Sequence, residues 1–274
     1  MRRPREYIYY IGGTLCLVLS AFLLFQSGIM PSTLTNRIYI NNSARGYKDY
    51  YYSDISLHRN NLRQAAAYLP LYSVTEQADM FRFLASFEME QATIYETEEF
   101  FLAASHDGRH LQIYKFLDKL IYSSLTVRDT NEPEISVGRA KEIAQEFVKR
   151  HLFLAGEYEI GVQRSDVGFE IQFVENLGKI PNKAFPTIIM VDNFGNIVSA
   201  KHFYFEYEEL GRGDLMTVAS AIAYLPRNHS GRIRITNYEL IYIFEYSILQ
   251  PVYLFRGYYP DGSPFSATVA ALKF

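Results

Sequence analysis

Ile135-Ser136-Val137-Gly138-Arg139-Ala140-Lys141-Glu142-Ile143-Ala144-Gln145-Glu146-Phe147-Val148 is the stretch whose pattern decides the fold. Ser136 stands where an N-cap accepts a backbone hydrogen bond. Val137, Ala140, Ile143, Ala144, Phe147 and Val148 recur at helical spacing on one face, with Lys141, Glu142, Gln145, Glu146 and Lys149 on the other, so a one-faced helix runs to about His151. Such a helix needs an apolar layer to lie on, and the chain downstream supplies strands at residues 158–164, 168–174, 187–192 and 197–207. Asn193 and Gly195 fit a turn between the last two. A second capped helix spans 214–225 and stops at Pro226, and strands follow near 238–246, 251–259 and 265–272, the final hairpin closing at Asp261-Gly262.

Upstream, alternation between residues 80 and 124 predicts strands at 81–89, 93–96, 100–105 and 111–115. His106, Asp107, Gly108 and Arg109 form the hinge of the last pair, because Asp-Gly suits a type I′ turn in which both central residues need φ > 0. Residues 55–69 place Leu62, Ala65, Ala66 and Leu69 on one helical face, and Pro70 ends that helix. The polar run at 128–133 breaks the pattern and marks an internal boundary. Ala66-Ala67-Tyr68-Leu69-Pro70 echoes Ala223-Tyr224-Leu225-Pro226; either chance or a duplicated helix-then-sheet unit accounts for it.

The first thirty residues read differently. From Ile8 to Phe25 no side chain is ionisable except Tyr9, Tyr10 and Cys16, and at about 1.5 Å per residue the run nearly crosses a hydrocarbon layer of about 30 Å. Arg2, Arg3 and Arg5 precede it, which keeps the N-terminus in the cytoplasm and sends the rest outside. A cleaved signal peptide is the competing reading, but the apolar run is long for one and lacks a small-residue cleavage pair. Cys16 follows Thr14 and Leu15, where a lipoprotein signal wants small residues, and reads as a membrane filler. Gly12, Gly13, Ser20 and Ala21 offer the small surface on which another membrane helix packs closely. Residues 33–52 read as a polar stalk with a short strand at 37–40. The Tyr50-Tyr51-Tyr52 run packs on the domain or lies near lipid headgroups. The expected organisation is an anchor at 1–30, the N-terminal half of an ectodomain at 31–130 and its C-terminal half at 131–274.

Composition narrows the function. The chain holds 27 basic and 30 acidic residues; three basic and one acidic precede Met30, so the remainder carries a net charge of −5. An acidic balance argues against nucleic acid, whose binding rests on cations that neutralise phosphates. With Cys16 as the single cysteine, the outer part forms no internal disulfide and depends on its core. Tyr and Phe number 23 and 20, which suits strands and contact surfaces.

Candidate chemistry is sparse. His106 and His110 flank a hairpin without an acidic or sulfur partner nearby, so no metal or other cofactor is expected. His58, His151, His202 and His229 read as surface or interface residues. No Gly-x-Ser-x-Gly elbow and no glycine-rich phosphate loop occurs. Glu96, Glu98 and Glu99 resemble paired carboxylates, but Glu96 and Glu98 on one face of a strand suit a solvated edge better. Arg212-Gly213-Asp214 has a plain cause in a glycine turn followed by an aspartate helix cap. Asn41 and Asn228 head glycosylation sequons that matter only in a glycosylating pathway. No enzymatic role is expected.

The string at 135–148 resembles the opening helix of a PepSY-type domain, a small extracytoplasmic module of helix plus sheet. With the short basic start, the single anchor and Gln250-Pro251-Val252-Tyr253-Leu254-Phe255 before the Asp261-Gly262 hairpin, the whole chain resembles the YycI and YycH family. That resemblance implies an α+β ectodomain of two antiparallel sheets with packed helices behind an N-terminal transmembrane helix. It further implies a non-enzymatic regulator of a WalK-like sensor histidine kinase in a two-component system of Gram-positive cell-wall metabolism, and it allows a YycH-like partner beside it. A PepSY-type inhibitor or chaperone of an extracellular protease is the alternative.

Overall fold

Ser136 caps its helix as the sequence predicts: its Oγ accepts from the Arg139 N–H at 3.2 Å. The structure, a computed structural model, describes residues 50–52, 62–71, 76–125, 134–152, 154, 157–225 and 233–273. The proposed anchor with Gly12, Gly13, Ser20 and Ala21, the stalk at 33–49, His58, His229 and both sequons lie outside the described residues. No helix among the described residues is long and apolar enough to cross a membrane.

Three helices are present among the described residues: α1 (Gln77–Ser86), α2 (Val137–Phe147), which continues as a π turn over Val148–Leu152, and α3 (Val218–Ile222). On α2, Ala140 and Ala144 are buried, as is Val148 at the start of the π turn, but Val137, expected on the buried face, stands in the first turn and is 47% exposed. Helix α1 occupies residues where alternation predicted a strand at 81–89. Met80, Phe83, Leu84 and Phe87 also satisfy a 3.6-residue period, and they are the residues buried. The Asp79 carboxylate closes the start of α1 by accepting from Glu76 N–H. At its end, Arg109 Nη1 donates to Phe87 O at 2.9 Å.

The remaining elements are mostly antiparallel strands. One sheet has the order β3 (Thr93–Glu96), β4 (Phe100–Ala104), β5 (Arg109–Tyr114), β6 (Lys119–Ser124), β11 (Ile197–Phe203), β10 (Thr187–Asp192), β8 (Gly168–Leu177), β7 (Tyr158–Ser165), and β9 (Ile180–Pro181) pairs with β8. Helix α1 precedes the meander β3 to β6, and helix α2 precedes the meander β7, β8, β10, β11. The two meanders meet at their last strands, where β6 and β11 pair antiparallel with Ala200 opposite Tyr122 and Lys201 opposite Ile121. Strands from either side of residues 128–133 therefore share one sheet. A helix-then-sheet unit does occur twice, but the Ala-Tyr-Leu-Pro echo does not mark it, since one copy lies in a strand and the other at a helix end.

The second sheet has the order β1 (Tyr50–Tyr52), β13 (Ile233–Glu245), β14 (Ile248–Tyr258), β2 (Gln64–Leu71), β12 (Glu206–Asp214), with β15 (Pro264–Ala270) paired to β14. Tyr50-Tyr51-Tyr52 thus joins the domain, parallel to Ile233–Ile235. Residues 64–71 form β2 and not the end of a helix. Its run of alanines permits either state, and pairing with β12 decides it, Pro70 lying opposite Tyr207. The strand expected over 197–207 is two: the chain leaves the first sheet after Phe203 and enters the second at Glu206. Arg212-Gly213-Asp214 lies in β12, so Asp214 caps no helix; that role falls to Thr217, whose Oγ1 accepts from Ser220 N–H.

Turn chemistry follows the sequence in part. At the β4–β5 hairpin only Gly108 has positive φ (+83°), and Gly108 N–H donates to Ser105 O, so this is a three-residue loop with its glycine in the left-handed position and not a type I′ turn. Two two-residue turns among the described residues have both central φ positive: Gly178-Lys179, at +59° and +79°, between β8 and β9, and Tyr246-Ser247, at +52° and +65°, between β13 and β14. No glycine announced the second.

Two cores result. The first lies between α1, α2 and one face of the nine-stranded sheet, and includes Phe87, Leu111, Ile113, Leu120, Phe169, Ile171 and Ile189. The second, around Leu225, Ile235, Tyr242, Leu249 and Phe255, underlies the six-stranded sheet. Ile180 of β9 belongs to the second core although its strand pairs with the first sheet, which fastens the two together.

Gly168 and Gly262 both have positive φ, but a Cβ on Gly168 would meet Val191 O at 2.1 Å while one on Gly262 meets nothing. Gly168→Ala should therefore cost about 2–4 kcal/mol and Gly262→Ala about 1 kcal/mol, read from urea midpoints. Equal costs would show that the β8–β10 contact is looser than described.

Candidate interaction face

In a strand, side chains alternate between faces, so a sheet with one face under helices shows the other to its surroundings. On the face turned away from α1 and α2, Leu102, Gln112, Ile121, Lys201, Ile188 and Gln172 stand opposite one another as a row across six strands. All but exposed Lys201 are half-buried. The row is continuous because β6 pairs β11. It mixes aliphatic and polar groups, as a contact surface does and a dry core does not.

At one end of this row lies a cleft of about 340 Å³ lined by Glu159, Ile160, Gly161, Gln172, Val174, Lys183 and Pro186. Lys183 is held by Glu239 of β13 at 2.6 Å, so one wall of the cleft is fixed to the second sheet.

The next row contains Phe100, Tyr114, Lys119 and Phe203. Phe203 opens a chain of rings that crosses from one sheet to the other. Its centroid is 5.2 Å from Phe185 and 5.5 Å from Phe205, while Phe185 lies 4.6 Å from Phe205 and 5.0 Å from Phe244 of β13. Phe205, Tyr207, Tyr68 and Tyr242 extend the series into the second core. These contacts, stacked between Phe203 and Phe205 and edge-to-face or tilted elsewhere, add to the burial of the rings themselves and hold the joint.

Two cations border the rings. Lys119 Nζ lies 3.8 Å from the Tyr114 centroid, and Lys201 Nζ lies 4.9 Å from that of Phe203. Burial first, and then the Lys201 ammonium, pushes the Lys119 pKa below the ordinary lysine value.

The residues weighed as chemical candidates lie elsewhere. His106 and His110 flank the β4–β5 turn, and no cluster of metal-ligating side chains occurs among the described residues. Glu96 ends β3 and receives Lys115 Nζ at 2.7 Å. Glu98 is not on that strand: it sits in the following turn, where Thr97 Oγ1 accepts from Glu99 and Phe100 N–H. His151 is no surface residue; it is half-buried, stacks on Phe87 and hydrogen-bonds Ser86 O, tying α1 to the π turn. His202 likewise is buried, on β11 facing the first core. Its Nδ1 is 2.8 Å from Thr187 Oγ1. A threonine beside an imidazole resembles a nucleophile with its base, but both are nearly sealed from solvent, at 3% and 6% exposure. Burial holds the His202 pKa down at about 4, so the ring is neutral and packs as a core residue.

Sequence reading did not single out Lys119, Lys201, Phe185, Phe203, Phe205 or Phe244. The available signal was the alternation Lys201, Phe203, Phe205, Tyr207, which continues from one sheet into the next.

No family model and no curated protein matches the sequence. Among solved structures, an uncharacterized protein from Eubacterium rectale aligns with a TM-score of 0.48 at 11% identity, over 76% of this chain and 82% of that one. The C-terminal domain of Bacillus megaterium YpeB aligns with a TM-score of 0.47 at 12% identity, over 73% of this chain and 95% of that one.

His202 gives the chain a dependence on pH. Its folded pKa lies below the ordinary 6.5, so unfolding takes up a proton between the two values. The contribution is complete above 6.5 and is lost as pH falls toward 4. From pH 7.5 to pH 5 the native protein should lose about 2 kcal/mol more than His202→Gln, measured by urea denaturation at each pH. Parallel losses would place the imidazole in contact with water.

Proposed function

We propose that this chain is a membrane-anchored extracytoplasmic regulator that works by contact, binding a sensor histidine kinase and adjusting two-component signalling for cell-wall metabolism. The observation that carries it is the open face of the nine-stranded sheet, six strands of mixed and mostly half-buried side chains that no helix among the described residues covers. Two successive units of helix and antiparallel meander agree with a PepSY-like ectodomain, the fold to which the capped helix at 135–148 points. The apolar run at 8–25 would set the domain beside the kinase, with Gly12, Gly13, Ser20 and Ala21 as the surface for its membrane helices.

Regulation by contact requires differential affinity, because a partner that binds both kinase states equally shifts nothing. A preference of about 1.4 kcal/mol changes the ratio of states tenfold.

The test is photo-crosslinking in cells with the full chain, from Ser123 on the open face and from Glu146 on the solvent side of α2. Ser123 should capture a membrane kinase and Glu146 should not, and replacing residues 8–25 by an unrelated span should abolish kinase control. Recovery of secreted proteases alone, with inhibition that survives the anchor exchange, would favour the protease inhibitor and end the kinase reading.

A further inference from the structure

Lys119 and Lys201 are diagonal neighbours on adjacent strands, since Lys119 pairs with Phe203 and Lys201 with Ile121. Like charges so placed repel. Lys115 pairs with Glu96, and Lys183 and Arg256 both pair with Glu239, whereas no described carboxylate pairs with Lys119 or Lys201. The chain has more acidic than basic residues, so acids to relieve the pair are not scarce. What the lysines have are rings. Tyr114 and Phe203 each take one side of an ammonium, and an ammonium has three donors, so both retain donors for a further acceptor.

The surroundings select the kind of acceptor. Phe203 joins Lys201 to the rings of Phe185 and Phe205, so an anionic position and an apolar one are contiguous. The row through Lys201 continues by way of Ile188 to Gln172, which lines the cleft beside Lys183. Lys201 and Gln172 stand two strands apart, about 10 Å, which is three residues of extended chain. A bilayer surface would want its aromatic groups protruding, whereas Phe185, Phe203 and Phe205 are half-buried at the joint between sheets. We infer that this site binds an extended acidic segment of a partner protein, with a carboxylate between Lys119 and Lys201 and apolar side chains on the Phe203 rings and in the cleft beside Gln172. The inference deepens the contact reading above by naming the partner's chemistry.

Its test uses the full chain in detergent and a short fluorescein-labelled peptide with paired glutamates and a phenylalanine three residues on, against a counterpart with glutamines. The glutamate peptide should bind at least tenfold more tightly, as measured by fluorescence anisotropy. Lys119→Gln with Lys201→Gln should erase that preference without moving the melting midpoint, and Lys119→Arg with Lys201→Arg should keep it. Equal binding of the two peptides, or a preference that survives the glutamine changes, would overturn the inference. So would displacement of the peptide by equimolar inorganic phosphate, which marks a general anion site, or lysine-dependent binding to phosphatidylglycerol vesicles without peptide binding, which marks a lipid surface. The outcome is separable from that of the crosslinking experiment. A kinase captured from Ser123 with no peptide preference retires this site alone, and a peptide preference with no kinase captured retires the regulatory reading alone.

Discussion

The pairing of β6 with β11 is the contact on which the rest of the structure depends. Each meander ends in a strand with an unpaired edge, and an unpaired edge leaves backbone donors and acceptors to be satisfied by something else. Joining the two edges satisfies both and makes one wide sheet of two narrow ones. The helices then share a single core, in which Leu120 of the first meander and Ala200 of the second lie under the same layer as Ala140 and Ala144. The open face gains its continuity from the same pairing, because Ile121 and Lys201 are adjacent only across it.

The second sheet depends on the first through a short segment. Between β8 and β10 the chain supplies Ile180 to the second core, Asn182 to a bridge with Tyr242, and Phe185 to the rings of the joint. Asn182 Nδ2 also donates to Tyr207 Oη at 3.0 Å. Polar and aromatic contacts in one stretch fix the angle of the sheets more firmly than a flexible linker would, and the cleft walled by Lys183 owes its shape to that fixation.

The legibility of the fold varied with the strength of local signals. Helix α2 was readable because its cap and its period agree, and most later strands were readable because turns bound them. Helix α1 was not: Phe81 and Phe83 alternate as well as Met80, Phe83, Leu84 and Phe87 repeat, and both periods fit one short apolar run. Residues 64–71 failed for a related cause, since alanine favours a helix until a neighbouring strand claims it. The break after Phe203 left no mark at all. Of the candidate face, the individual aromatics were visible as composition, but the lysine pair joins residues from separate meanders, and no local pattern announces a neighbour so distant in sequence.

By itself the sequence determined the α+β class, the capped helix α2, the closing hairpins, and the absence of an internal disulfide outside the apolar start, because each follows from residues close together or from composition. Only the tertiary structure decided that Lys119 meets Lys201, that His202 is buried against Thr187, and that Arg212-Gly213-Asp214 is a strand. Those outcomes depend on which strand edges find one another, and edge pairing is settled by burial summed over a whole sheet, a quantity that no short stretch of chain contains.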